Sequence, residues 1–170
     1  MLDTAQSLAA AQPACLGQVL PFAAEAAWAT GKFEILERFL QSDGASESHD
    51  FSTEIGKLFL ALKNKDVATF DSLLSSLRTS IATGISSTST MSLAMAHPLT
   101  IKLHALYEIE QIGAVKSNNA TTDQIVERLG KRLDILGAYT TDKQYLLGVR
   151  RAAMQLSRQV FFSMSIVHTH

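Results

Sequence analysis

FSTEIGKLFLALKNKDVATFDSLLSSLRTSI, residues 51–81, reads as two helices joined by a tight turn. Phe51, Ile55, Leu58, Phe59 and Leu62 recur at the three-to-four-residue spacing that puts side chains on one helix face. Asn64 and Lys65 break the rhythm, and Asp66 has the short carboxylate that accepts backbone N–H groups at a helix start. Val67, Phe70, Leu73, Leu74, Leu77 and Ile81 then resume the same spacing. A helix striped on one side needs a neighbour to cover the stripe, so this segment predicts helices packed on helices.

The pattern extends in both directions. Towards the N-terminus, Leu16, Val19, Leu20, Ala23, Ala27 and Trp28 form a stripe, with Pro21 expected in the first helical turn, where its missing N–H is harmless. Gly31 offers a left-handed stop. Phe33, Leu36 and Leu40 make the next stripe, Gly44 is expected to end it, and Gly44 to Asp50 reads as a polar loop. Towards the C-terminus, the Ser/Thr-rich stretch from Ser80 to Ser92, with Gly84 inside it, predicts a loop. A helix around Leu99, Leu103, Leu106 and Tyr107 follows, stopping near Gly113, and Lys116 to Ala120 reads as a loop.

Thr121-Thr122-Asp123-Gln124 and Thr141-Asp142-Lys143-Gln144 each place Gln three residues after Thr, the spacing of a capping box. Ile125, Leu129, Leu133 and Leu136 follow the first and end at Gly137; Tyr145, Val149, Ala152, Ala153 and Leu156 follow the second. No segment sustains the alternation of a strand. The expected fold is all-α: about seven helices in an irregular helical-hairpin solenoid, each hairpin burying its stripes on the next. Trp28, Gly31 and Phe33 echo the aromatic-Gly-aromatic turn of tetratricopeptide (TPR) repeats, without their regular period.

Composition narrows the function classes. The 170 residues are 46% hydrophobic, enough for a core. The net charge of −1 gives no overall pull toward nucleic acid or anionic lipid, so neither is expected as a partner. The charge is uneven: residues 1–100 hold six Lys/Arg against ten Asp/Glu, and residues 101–170 hold nine against six. Cys15 is the one cysteine, which excludes an internal disulfide and a thiolate zinc site and suits a reducing compartment. Met1–Gln12, with acidic Asp3 and no basic start, does not read as a secretory signal, and no apolar run reaches the roughly 20 residues of a membrane span.

Several stretches together resemble the FAT region of ATR-type checkpoint kinases, large phosphatidylinositol-3-kinase-like protein kinases (PIKKs). They are Ala23-Ala24-Glu25-Ala26-Ala27-Trp28 with Phe33 to Leu40; Glu54-Ile55-Gly56-Lys57-Leu58 with Ala61 to Asp66 and Phe70; Lys102 to Glu110; Arg128 to Leu133; and Gln144 to Ala153. Their order is that of the family, and the flavour is that of fungal members. The resemblance divides the chain into an undefined segment over 1–16, a FAT-like helical-repeat segment over 17–157 and an atypical tail over 158–170. That tail, with apolar Val160, Phe161, Phe162, Met164, Ile166 and Val167, departs from the family's continuation and suggests a truncated or misread product. The resemblance implies a non-catalytic scaffold of a serine/threonine kinase in the DNA-damage checkpoint and DNA repair. It implies a nuclear setting, otherwise cytoplasmic. The implied partners are the rest of the kinase chain and an ATR-binding regulatory subunit. A free-standing TPR-like interaction adaptor is the competing reading.

Site chemistry is sparse. The Gly-rich loop, strand lysine and catalytic Asp/Asn of a kinase are missing, as is a P-loop, so the chain alone is expected to be inactive, with no catalytic residue, cofactor or metal. His97 and His104 are seven apart, too far to share one metal, and His168 and His170 lie on the tail. Glu108 and Glu110 do not face each other on a helix and read as a solvated face. Arg150, Arg151 and Arg158 read as exposed or as partners for acidic residues of a neighbouring repeat. Trp28 and Phe33 read as core at a helical turn, with anchoring of a peptide as the alternative, and Ser86 to Ser92 as a flexible loop rather than a phosphorylated one.

Overall fold

A computed structural model describes residues 16–41, 50–88, 93–114 and 122–167. Among these residues there are seven helices and no strand: α1 (Leu16–Ala29), α2 (Phe33–Leu40), α3 (Phe51–Asn64), α4 (Val67–Thr88), α5 (Leu93–Gly113), α6 (Thr122–Asp134) and α7 (Thr140–Val167). The fold is all-α and of the helical-repeat kind. The chain divides into two compact units, residues 1–73 and 74–170.

In the first unit α1 packs on α2 and α3, and α2 on α3. The stripe of α1 is buried at Leu20, Ala23, Ala24, Ala27 and Trp28, and its three alanines let neighbouring helices approach closely. Trp28 lies 5.6 Å from the Phe59 ring and Phe33 meets that ring edge-on at 6.3 Å, so one aromatic cluster joins all three helices. The chain reverses at Gly31, whose φ is +74°; Gly31 N–H donates to Trp28 O (3.1 Å) and Lys32 N–H to Ala27 O (2.9 Å), the paired bonds of a Schellman stop. Pro21 departs from expectation: it is inside α1 rather than in its first turn. At that depth its ring removes a bond to the Gly17 carbonyl, and the loss stays confined to the first turns of the helix.

The turn after α3 uses the same two bonds without a glycine. Lys65 N–H donates to Leu62 O (3.3 Å) and Asp66 N–H to Ala61 O (3.0 Å), with Lys65 left-handed at φ +59°. Asp66 caps α4 as its sequence predicts, accepting from Thr69 N–H (3.0 Å) and from the Thr69 hydroxyl (2.6 Å), which together hold its carboxyl below the usual range. The principal neighbours of α3 are α1 and α2. Its start is capped by Asp50, which accepts from Ser52 N–H at 2.8 Å. Gly44 lies outside the described residues; α2 itself ends at Leu40.

In the second unit α5 is the central helix, packed extensively on α7 and touching α6. Two expectations are corrected here. Residues 80–88 continue α4 instead of forming a loop. Hydroxyls inside the helix donate back to its own carbonyls, Thr79 to Ser75 O (2.9 Å), Thr83 to Thr79 O (2.9 Å) and Ser87 to Gly84 O (2.8 Å), so the polar residues have partners without leaving the helix. Ile81 is buried, and a Cβ at Gly84 would stand 3.3 Å from Leu99, so packing holds the segment helical against its weak propensity. The second capping box also shifts: α7 begins at Thr140, with Lys143 N–H donating to Tyr139 O (3.1 Å), so Thr141 lies inside the first turn. The tight turn after α6, closed by Tyr139 N–H to Leu136 O (3.2 Å), delivers the chain into helix earlier than the motif suggests. Thr121 and Lys116 to Ala120 lie outside the described residues. α6 ends at Asp134, ahead of the expected stop at Gly137, which stands in the turn that follows with φ +56°; α5 ends at Gly113.

Candidate functional site

The charged side chains of the second unit converge on α5. Residues Ile101, Ala105, Ile109 and Ile112 give it a buried face, and Glu108 lies in the same register, 2% exposed. On α7, Leu146, Val149, Ala153 and Leu156 form the covering stripe, and Arg150 sits within it at 8% exposure. The two meet as a fork: Arg150 Nε donates to Glu108 Oε2 (2.8 Å) and Nη2 to Glu108 Oε1 (2.7 Å). Nη2 also donates to the Leu129 carbonyl of α6 at 2.9 Å. One buried ion pair therefore ties three helices. The reading of Glu108 as a solvated carboxylate is corrected, and of the two readings of Arg150 the structure shows the acidic partner on a neighbouring helix rather than exposure. Pairing satisfies the fork and spares each charge the cost of isolation, which for an unpaired buried ion is on the order of several kcal/mol.

A second pair lies nearer solvent. Arg78 on α4 meets Glu110 on α5 in a bidentate contact at 2.6–2.8 Å. The hydrogen bonds to Arg78 hold the Glu110 carboxyl below its ordinary value, and the same bonds raise Arg78. Glu110 too is therefore an interhelical partner rather than part of a solvated face.

The two histidines of α5 serve different neighbours. His97 Nε2 lies 2.8 Å from Asp142 Oδ2 in the first turn of α7, and its ring lies 5.1 Å from that of Tyr139. His104 Nδ1 accepts from Arg132 Nη2 on α6 at 3.0 Å, which places the neutral ring's proton on Nε2. The Arg132 guanidinium lies 4.0 Å over the Tyr107 ring. Burial first, then the nearby Arg132 charge, lowers the His104 pKa below its ordinary value. Among the described residues no group of three His, Cys, Asp or Glu is placed to hold a metal. Cys15, His168 and His170 lie outside the described residues.

The remaining candidates sort readily. Trp28 and Phe33, 1% and 2% exposed, belong to the core of the first unit. Arg151 and Arg158 are exposed. Ser86 and Ser87 are on α4, while residues 89–92 lie outside the described residues. Gln124, Glu127, Arg128, Lys131, Arg132 and Ile135 line an open depression of about 370 Å³ along the outer side of α6. The arrangement makes Glu108, Arg150, Arg78, Glu110, His97 and His104 ties between helices and leaves α6 with exposed Arg128 and Lys131. No helix among the described residues is long and apolar enough to cross a membrane.

The sequence allowed Arg150 an acidic partner in a neighbouring repeat but did not identify Glu108, 42 residues away, as that partner. The expected stripe of α5 is itself displaced: Leu99, Leu103 and Tyr107 are only half-buried, and the buried face is that of Ile101, Ala105, Ile109 and Ile112, on which Glu108 lies.

A family model described as the FAT domain matches residues 20–170. No solved structure matches the chain. The family match covers the aromatic cluster of α1–α3 and the charged ties of α5–α7 alike, and the chain belongs to the FAT domain family.

Proposed function

We propose that this chain is a non-catalytic helical scaffold segment of a phosphatidylinositol-3-kinase-like serine/threonine protein kinase, of the ATR type and fungal in character. The observation that carries the reading is the FAT-domain match over residues 20–170. Most of the stretches that resemble the ATR-type family lie in helices: 23–28 in α1, 33–40 in α2, 54–58 and 61–64 in α3, with 65–66 in the turn that follows and Phe70 in α4, 102–110 in α5, 128–133 in α6 and 144–153 in α7.

The mechanism is mechanical. Helices tied by the Trp28–Phe33–Phe59 cluster in one unit and by Glu108–Arg150 in the other hold their outer surfaces in fixed register. Such surfaces support a kinase domain and receive protein subunits. The working setting is the nucleus, in the DNA-damage checkpoint and DNA repair. The partners are the remainder of the kinase chain and an ATR-binding regulatory subunit.

The test is to sequence the full transcript that contains these codons and to tag its product in the source cells. The scaffold reading expects an in-frame kinase domain, nuclear localisation and co-purification of the regulatory subunit. A transcript without kinase sequence, whose product is a monodisperse monomer that binds a peptide partner, would overturn it in favour of a free-standing TPR-like adaptor.

A further inference from the structure

The geometry points to the outer face of α6 as a docking surface for an acidic amphipathic helix of a partner protein, anchored by one apolar side chain at Ile135. Ile125 and Leu129 bury the inner face of α6. Turned away from them, Gln124, Arg128, Lys131 and Ile135 follow one another at spacings of four, three and four residues, the period of a single helical stripe. All four are exposed. With Glu127 and Arg132 they line the open depression of about 370 Å³. Ile135, just past the end of the helix, is 76% exposed, and Tyr139 four residues on is 63% exposed. Ile135 and Tyr139 together leave apolar area uncovered beside Arg128 and Arg132, and Tyr and Arg are among the residue types enriched in interfaces.

The charge accounting favours an acidic partner. Residues 74–170 carry ten Lys/Arg and six Asp/Glu, a net +4. Arg150 and Arg78 are spent on Glu108 and Glu110 away from this face, and the depression itself is lined by three cations, Arg128, Lys131 and Arg132, against one carboxylate, Glu127. The Lys131–Glu127 pair, at 74% and 68% side-chain exposure, is a weak solvent-screened contact that a partner carboxylate can replace. Arg132 is held in place by the Tyr107 ring and His104, so little side-chain entropy is lost when it meets an anion at the rim. A helix with carboxylates one turn apart and a Leu or Phe beyond them matches Arg128, Lys131 and Ile135 in order. A nucleic-acid backbone fits less well, because the face offers an aliphatic tip at Ile135 in place of an aromatic stacking platform.

This inference goes beyond the scaffold reading and does not depend on it, since it concerns only α6. The experiment titrates the full chain into a fluorescein-labelled designed peptide of about four helical turns, with Glu at one-turn spacing and a terminal Leu, read by anisotropy at low salt. The expected affinity is in the range of about 10–100 µM, weakening at least about tenfold in the Arg128→Glu/Lys131→Glu variant, in Ile135→Ser and when salt is raised. Circular dichroism checks that both variants fold, and Arg128→Gln serves where the double reversal does not. The inference is overturned if the peptide shows no saturable binding below about 1 mM, or if it binds with all variants unchanged. It is also overturned if a single-stranded oligonucleotide of similar length binds more tightly and is indifferent to Ile135→Ser. A control peptide with Gln for every Glu must lose binding; equal binding by that control also overturns it.

Discussion

Replacing Arg150 by methionine isolates the buried tie in the second unit. Methionine keeps most of the side-chain length and apolar stem, so the change removes charge and fork rather than volume. Glu108, 2% exposed, then loses both Arg150 hydrogen bonds, at 2.8 and 2.7 Å, and the Leu129 carbonyl loses its third-helix partner. Removing one member of a buried pair strands the other and typically costs about 3–5 kcal/mol. A domain of ordinary stability has about 5–15 kcal/mol in all, so the loss is a large fraction of what holds α5, α6 and α7 together. At a urea slope of about 2 kcal/mol/M it moves the midpoint down by about 2 M. The chain provides separate reporters. Trp28 lies in the first unit, whereas Tyr107, Tyr139 and Tyr145, the only tyrosines, lie in the second. Urea unfolding followed by tryptophan fluorescence and by tyrosine near-ultraviolet circular dichroism reads the units apart. The tyrosine transition should fall while the tryptophan transition moves less. The double variant Glu108→Leu/Arg150→Met should recover most of the loss, because it leaves no charge stranded. A loss under about 1 kcal/mol in the single variant, or a double variant worse than both singles, would refute the reasoning.

Three further outcomes follow from local geometry. His104 is depressed in the folded chain, so the unfolded state takes up its proton first: stability is full above the ordinary value of 6.5 and declines as pH falls through the lower folded value, and His104→Gln, which keeps an acceptor for Arg132, should flatten that part of a melting-temperature-against-pH curve. Lys65→Gly should stabilise the first unit by about 1 kcal/mol, since an L-residue in the left-handed region costs about that much, and an unchanged or lowered urea midpoint would contradict the strain. Gly148→Ala, in α7 with open space around the added Cβ, should gain roughly 0.5–1 kcal/mol of helix propensity, whereas Gly56→Val in α3 should destabilise, because even a Cβ there stands 3.0 Å from Leu36 and 3.3 Å from Leu40; thermal melts showing the same sign for both would contradict the packing.

Much of the first unit is readable from its residues because the signals there are local. Gly31 stops α1 through backbone freedom alone, and Asp66 starts α4 through a carboxylate that reaches the N–H of Thr69, three residues on. The apolar stripes of α1 and α3 place Trp28 and Phe59 on buried faces, and only the encounter between them needs the fold. Lys65 shows the limit of such reading. Its left-handed conformation is imposed by the two bonds to Ala61 and Leu62, which form whatever residue occupies the position. Residues 80–88 fail for a related reason. Their Ser and Thr hydroxyls favour turns in an unpacked chain, but burial of Ile81 and contact of Gly84 with Leu99 supply what propensity lacks.

The second unit shows why a charged residue inside an apolar register carries more meaning than one between stripes. Glu108 shares the buried face of α5 with Ile101, Ala105 and Ile112, and Arg150 shares that of α7 with Leu146 and Ala153. Either residue alone conflicts with its helix, since a lone charge on a buried face opposes the packing that forms the helix. Both conflicts vanish when the two helices pair in one register, and a shift of one residue along either helix restores them. An apolar pair at the same positions would tolerate such a shift more readily, because hydrophobic contact is not directional. The ion pair thus contributes to the choice of register, and the Arg150 bond to Leu129 extends that choice to α6, a helix that otherwise touches α5 lightly.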